Sequence, residues 1–160
     1  MGLETVSRIL WKERELLELL LFKLEEEQLV LTSGRSKWLP HATREVEAVL
    51  EQMRRTELLR AVEVDAAAAE LGLAAGPSLT ELADAADEPW RQLLHSHRRG
   101  LLGLTTEISG TAAANREILG TAERATRDAL LSLSESVQTY TADGSTVSTP
   151  SPARLVDEAV

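Results

Sequence analysis

The chain contains no cysteine, which excludes a disulfide framework and any thiolate zinc site. Aromatic residues are scarce, at 3%, so the large rings that fill much of the core in mixed and β domains are missing. Positive charge is also in short supply: 17 Lys and Arg stand against 26 Asp and Glu, for a net charge of −9. That balance argues against nucleic-acid or anionic-membrane binding, which needs clustered basic surface. The adjacent basic pairs Arg54-Arg55 and Arg98-Arg99 sit among carboxylates or apolar residues and read as solvated helix faces. No apolar run reaches the roughly 20 residues that a membrane crossing needs. The richest stretch, 16–24, is interrupted by Glu18 and Lys23. The opening Met1-Gly2-Leu3-Glu4-Thr5 lacks a basic region leading into an apolar core, so no signal peptide is expected.

What remains is a 160-residue chain rich in Leu, Ala, Glu and Arg, the composition of helix-on-helix packing. Leu3, Leu10, Leu17, Leu24 and Leu31 recur every seven residues, which keeps one stripe facing a partner helix. At the companion positions Val6 and Leu20 fit the pattern, whereas Glu13 and Glu27 do not. A first helix over 3–32 would run to roughly 45 Å. Leu16, Leu19, Leu20, Leu21 and Phe22 add a second apolar face that calls for more than one neighbour.

The stretch 32–36 breaks the repeat, with Gly34 a helix-ending glycine and Ser36 an N-cap. A second helix then runs to about Leu71, with Pro40 tolerated near its start. Leu39, Ala42, Val46, Val49 and Met53 are spaced three and four apart along it. Over 61–69 alanine replaces the larger residues, which lets a neighbouring backbone come close. So short a connector predicts an antiparallel hairpin.

Gly72, Gly76 and Pro77 stop the second helix, and Ser78-Leu79-Thr80-Glu81 has the spacing of a capping box. A short corner helix is expected over 79–86. A long third helix follows from an N-cap at Asp87, with Pro89 in its first turn, and persists to about Tyr140. Two interleaved seven-residue rows mark it: Trp90, His97, Leu104, Thr111, Ile118, Ala125, and Leu94, Leu101, Ile108, Asn115, Ala122, Ala129. Gly100, Gly103, Gly110 and Gly120 each cost about 1 kcal/mol in helix propensity, so this helix is softer than the other two or kinked. From Thr141 the composition is that of a linker, ending in a small apolar-acidic piece over 153–160. That piece is read as a disordered terminus, with a hook that orders on a partner as the other reading. The expected fold is therefore all-α: a hairpin and a long third helix in an elongated three-helix bundle over 1–140, and a flexible tail over 141–160.

The arrangements that support catalysis are missing from the sequence. His95 and His97 are two apart and point to different sides of a helix, so they cannot easily share a metal. His97 lies on an apolar row, where a satisfied core histidine is expected. His41 and Glu45 are four apart, a spacing common by chance. No Glu-x-x-His occurs, so a di-iron bundle is excluded. Glu25-Glu26-Glu27 points three ways around a helix. Neither a phosphate loop nor a nucleophile elbow is present. No cofactor, metal or catalytic residue is expected, and an enzyme is the weakest of the readings.

Interaction chemistry survives. Asn115 falls on a core row, where it either fixes the register of the bundle or faces solvent at an unwound turn. Leu130, Leu131, Leu133, Val137 and Tyr140 lie where the third helix outruns the first two, and a protruding apolar stripe is a recognition surface.

The run 10–24, Leu-Trp-Lys-Glu-Arg-Glu-Leu-Leu-Glu-Leu-Leu-Leu-Phe-Lys-Leu, resembles the first helix of FlgN-type flagellar export chaperones. The loop Ser33-Gly34-Arg35, the following Ala42-Thr43-Arg44-Glu45-Val46-Glu47 and the plan of hairpin, joint, long helix and tail are similar too. The resemblance covers 3–140. It implies a cytoplasmic chaperone that binds C-terminal helical segments of hook-associated (hook–filament junction) proteins, prevents their early assembly and hands them to the flagellar type III export gate. It also implies that client and gate contacts lie on the third helix and the tail, here at Leu130, Leu133, Val137 and Tyr140, then Leu155 and Val156. The alternative is a structural or adaptor coiled coil acting by self-association, such as a homodimer joined through the leucine stripe of the first helix.

Overall fold

The computed structural model describes residues 2–141, and the surroundings of side chains as far as residue 134. The described residues form helices α1 (Gly2–Thr32), α2 (Leu39–Glu70), α3 (Leu79–Ala85) and α4 (Trp90–Thr141), with a 3-10 turn at Ser36–Trp38 and no strand among them. The expectation of an all-α fold holds. The chain divides into two compact units, Met1–Arg116 and Glu117–Val160. Of the tail assigned to 141–160, Thr141 is the last residue of α4, and 142–160, with Leu155 and Val156, lie outside the described residues.

In the first unit α1 and α2 form the expected antiparallel hairpin. Lys23 Nζ donates to Glu45 Oε2 at 2.9 Å near the turn, Arg60 Nη1 to Glu13 Oε2 at 2.8 Å midway, and Gly2 meets Ala67 at the far end. The alanine run allows that last approach. A Cβ built on Gly2 would stand 3.1 Å from the Cα of Ala67, and Ala67 and Ala68 are buried at 1% and 0% exposure. The first part of α4 lies parallel to α1, since Ser7 faces His97 and Leu24 faces Asn115.

Burial follows the seven-residue repeat. Leu10, Leu17 and Leu24 are buried with Val6 and Leu20, so the stripe considered for joining a second copy is already occupied within the chain. One apolar cluster, Val6, Leu10, Ala67, Ala68, Leu82, Ala83, Ala86 and Leu94, joins the start of α1 to the end of α2, α3 and the start of α4. A second, Leu20, Leu24, Val46 and Val49, lies toward the hairpin turn, with Ile108 and Ala112 packed against it. Each large aliphatic side chain so buried contributes about 1.5–3 kcal/mol.

Two start signals were misplaced by the sequence. Ser36 makes no side-chain cap to α2. Residues 36–38 wind into a 3-10 turn instead, and α2 opens with Pro40 in its first turn, where its missing N–H is one of the four that a helix start leaves unpaired. Asp87 supplies its carbonyl, not its carboxylate, accepting from the Arg91 N–H at 3.1 Å. The side-chain cap of α4 comes from Glu88, whose Oε2 accepts from the Gln92 N–H at 3.4 Å. The second face of α1 also divides: Leu16 and Leu20 are buried, whereas Leu19 and Phe22 are 39% and 58% exposed.

The capping box at α3 is formed as expected. Ser78 Oγ accepts from the Glu81 N–H at 3.1 Å, and Glu81 Oε2 accepts from the Ser78 N–H at 2.7 Å. A seven-residue helix is marginal by itself, so α3 depends on this cap and on the burial of Leu82 and Ala83. Ser78→Ala is expected to lower the unfolding free energy by about 1 kcal/mol. A urea midpoint shift with unchanged slope would report it. An unshifted midpoint would show that packing alone fixes the corner.

Candidate functional site

The surface singled out on the third helix belongs to the second unit. From 121 to 133 every residue of α4 is exposed. What keeps this stretch helical is local: Ala122, Ala125 and Ala129 have high helix propensity. Leu130, Leu131 and Leu133 are 47%, 56% and 66% exposed, and Leu119 is 40% exposed. Leu119, Leu130 and Leu133 share one side of the helix by their three-and-four spacing, and Val137 and Tyr140 continue the same row in sequence. The backbone of Val137 and Tyr140 is within α4, but their side chains, like Leu155 and Val156, lie outside the described residues. An exposed leucine row of this kind can receive the apolar face of another helix.

The residues weighed for chemistry do not converge. His97 is 1% exposed, with its Nε2 3.2 Å from Ser7 Oγ and its ring edge-on to Trp11 at 4.9 Å. Burial, and then the nearby Arg14 charge, holds its pKa below the ordinary imidazole value. It is a core histidine, as its apolar row predicts, but satisfied on one side only, since its Nδ1 is buried without a hydrogen-bond partner among the described residues. His95 Nε2 lies 3.0 Å from Asp84 Oδ1, and the His41 ring leans on Trp38 at 5.7 Å. Among the described residues no group of three or more His, Asp or Glu is placed to hold a metal. No helix among them is long and apolar enough to cross a membrane. An open groove of about 360 Å³ lies between α1, α2 and the turn after it, with Leu10, Arg60, Val64 and Pro77 in its wall, and it holds no nucleophile–base pair.

The polar residues inside the bundle link its helices. Glu13 is 2% exposed, and its only ionic partner among the described residues is Arg60. Desolvation raises its pKa against the lowering effect of Arg60. Asn115 is 4% exposed; its Nδ2 donates to the Leu24 carbonyl at 2.9 Å and to Glu27 Oε1 at 3.2 Å. Glu27 Oε2 in turn accepts from Thr43 Oγ1 at 3.1 Å, so one carboxylate ties α1, α2 and α4 together. Of the two readings of Asn115, the buried one is observed. Gly100 also has a use that its helix propensity hid. A Cβ there would stand 2.8 Å from the Arg14 Cζ, so the glycine makes room for a guanidinium that stacks over Trp11 at 4.7 Å.

The described residues form an all-α protein of bundled helices with an exposed leucine-bearing stretch on α4. The chain belongs to the FlgN family, whose model, described as FlgN protein, matches residues 1–148. It is accordingly a flagellar export chaperone, of a family of chaperones and not of enzymes. No curated protein and no solved structure shows significant similarity to the chain.

Proposed function

We propose that this chaperone works in the cytoplasm. There it binds C-terminal helical segments of flagellar hook-associated proteins, prevents their premature assembly and delivers them to the type III export gate. The observation that carries the reading is the exposed row Leu119, Leu130 and Leu133 in a FlgN-family chain. An amphipathic client helix meets such a row with anchors at i, i+3, i+4 and i+7. Leu130, Leu133, Val137 and Tyr140 are assigned as its contacts, within a binding domain over 1–140. Leu155 and Val156 in the 141–160 tail are secondary contacts. The net charge of −9 keeps the chain soluble while apolar surface is exposed.

Calorimetric titration with C-terminal segments of the same organism's hook-associated proteins tests this. Saturable one-to-one binding with a negative heat-capacity change is expected. Leu133→Asp and Val137→Asp are each expected to weaken it about tenfold with helicity unchanged by far-UV circular dichroism. Unchanged affinity in both variants would remove the α4 assignment. Absence of heat with every segment would remove the client class.

A further inference from the structure

The chain has three Trp, one Tyr and one Phe, and two of these scarce rings are spent on solvent along one side of α1. Trp11 is 49% exposed, Phe22 58%, and Leu29, further along, 71%. Spacings of 11 and 7 residues place all three on one stripe of a 3.6-residue helix, about 27 Å from end to end. This stripe lies on the exposed side of α1, away from the row that carries Leu10, Leu17 and Leu24 into the core. Exposed aromatics grouped in this way mark interfaces more than they serve a core.

Both rings are held in place before any partner arrives. Trp11 rests against the His97 ring at 4.9 Å and beneath the Arg14 guanidinium at 4.7 Å. Phe22 has Lys23 Nζ 5.5 Å from its centroid, and that ammonium is anchored by Glu45. Preorganised anchors of this kind lower the ordering cost of binding.

Charge identifies the occupant. Glu15, Glu18 and Glu25 are exposed between and beside the three anchors. Glu15 pairs with Lys12 at 3.6 Å, whereas Glu18 and Glu25 have no ion-pair partner among the described residues. At its exposed positions α1 carries Glu4, Glu15, Glu18 and Glu25 against Arg8 and Lys12. A second copy laid parallel on this face would set Glu18 and Glu25 against their own counterparts, and a polyanion would be repelled. The complement is an apolar stripe flanked by Lys and Arg.

We propose that the outer face of α1 is a docking surface for a basic amphipathic helix of another protein. This surface is separate from the α4 leucine row, so either assignment can fail without the other.

The probe is a fluorescein-labelled Leu/Lys amphipathic peptide of roughly 18 residues, long enough to span the three anchors, titrated with the full chain and read by anisotropy. Saturable binding that weakens with added salt is expected. Glu18→Lys with Glu25→Lys, and separately Phe22→Glu, are each expected to weaken it about tenfold or more. These positions are exposed, and circular dichroism checks that the variants fold. A Leu/Glu peptide of the same pattern should bind the double charge-reversal variant and not the parent, and Leu133→Asp should leave the Leu/Lys affinity unchanged. No binding by the parent overturns the proposal. So does equal affinity in the charge-reversed protein, or binding lost instead on Leu58→Glu with Val62→Glu, another exposed apolar patch. Self-association of the parent that Phe22→Glu abolishes would give the face to a second copy.

Discussion

Arg60→Met is expected to destabilise the bundle by about 3 kcal/mol, and adding Glu13→Leu to recover most of that loss. The first change leaves Glu13, with a side chain only 3% exposed, as a buried carboxylate without its cation, a disruption that costs about 3–5 kcal/mol in fully buried pairs. The low end applies because the Arg60 side chain is 38% exposed and lines an open groove. The second change removes the stranded charge and puts a leucine between Val6 and Leu20 on the companion row of the seven-residue repeat. Replacing a buried pair by apolar residues is often neutral or stabilising. Chemical denaturation of the two single variants and the double variant at neutral pH gives the cycle.

The pH dependence has a definite sign. Desolvation raises the pKa of Glu13, so the folded state binds its proton more tightly than the unfolded chain does. Stability from this group therefore grows as pH falls from neutrality through the raised pKa, and is complete below the ordinary glutamate value. Arg60→Met removes the main lowering influence and should widen that window, so the variant recovers part of its loss on mild acidification. If the double variant is as unstable as Arg60→Met alone, the pair is not what limits stability at this level of the hairpin.

This pair also shows what could be read from the sequence and what could not. The leucine repeat, the hairpin, the alanine run that admits Gly2 and the capping box at Ser78 were legible because each is set by residues a few positions apart. Glu13 and Glu27 registered only as misfits to a repeat. Their partners are Arg60 for one and Asn115 and Thr43 for the other, on different helices, and no periodicity within one helix encodes them. Gly100 was read as softness for the same reason, since the guanidinium it accommodates comes from α1. Asp87 and Ser36 were placed by residue type, but a cap depends on where the first turn closes. That turn closed elsewhere, around Pro40 in α2 and beside Glu88 in α4. The leucines of the α4 row were legible as apolar spacing. The outer face of α1 was missed because Phe22 counts as core by composition, and only the position of the hairpin turns it outward.

Asn115→Asp is expected to be the most damaging isosteric change in the bundle, at about 3 kcal/mol. The side chain keeps its shape, yet both hydrogen bonds from Nδ2 are lost, to the Leu24 carbonyl and to Glu27 Oε1. A new carboxylate would face an existing one across a 3.2 Å separation. The lost charge-assisted bond to Glu27 accounts for about 1.5–3 kcal/mol, and like charge in a buried site adds to it. For a chain of this size that corresponds to a fall in melting temperature on the order of 10 °C. The introduced acid would have a raised pKa from burial and from Glu27, so by the same linkage the variant should regain stability as pH falls. Asn115→Leu separates energy from specificity. It removes the donor without adding charge, and Glu27 still accepts from Thr43, so its stability should stay within about 1.5 kcal/mol of the parent. If Asn115 sets the register of α4 against α1, the leucine variant should lose chemical-shift dispersion for α4 while keeping its helicity, since an apolar contact there permits neighbouring registers. A sharp, parent-like spectrum from Asn115→Leu would show instead that the apolar rows fix the register, leaving Asn115 as a buried polar residue paired through Nδ2 alone.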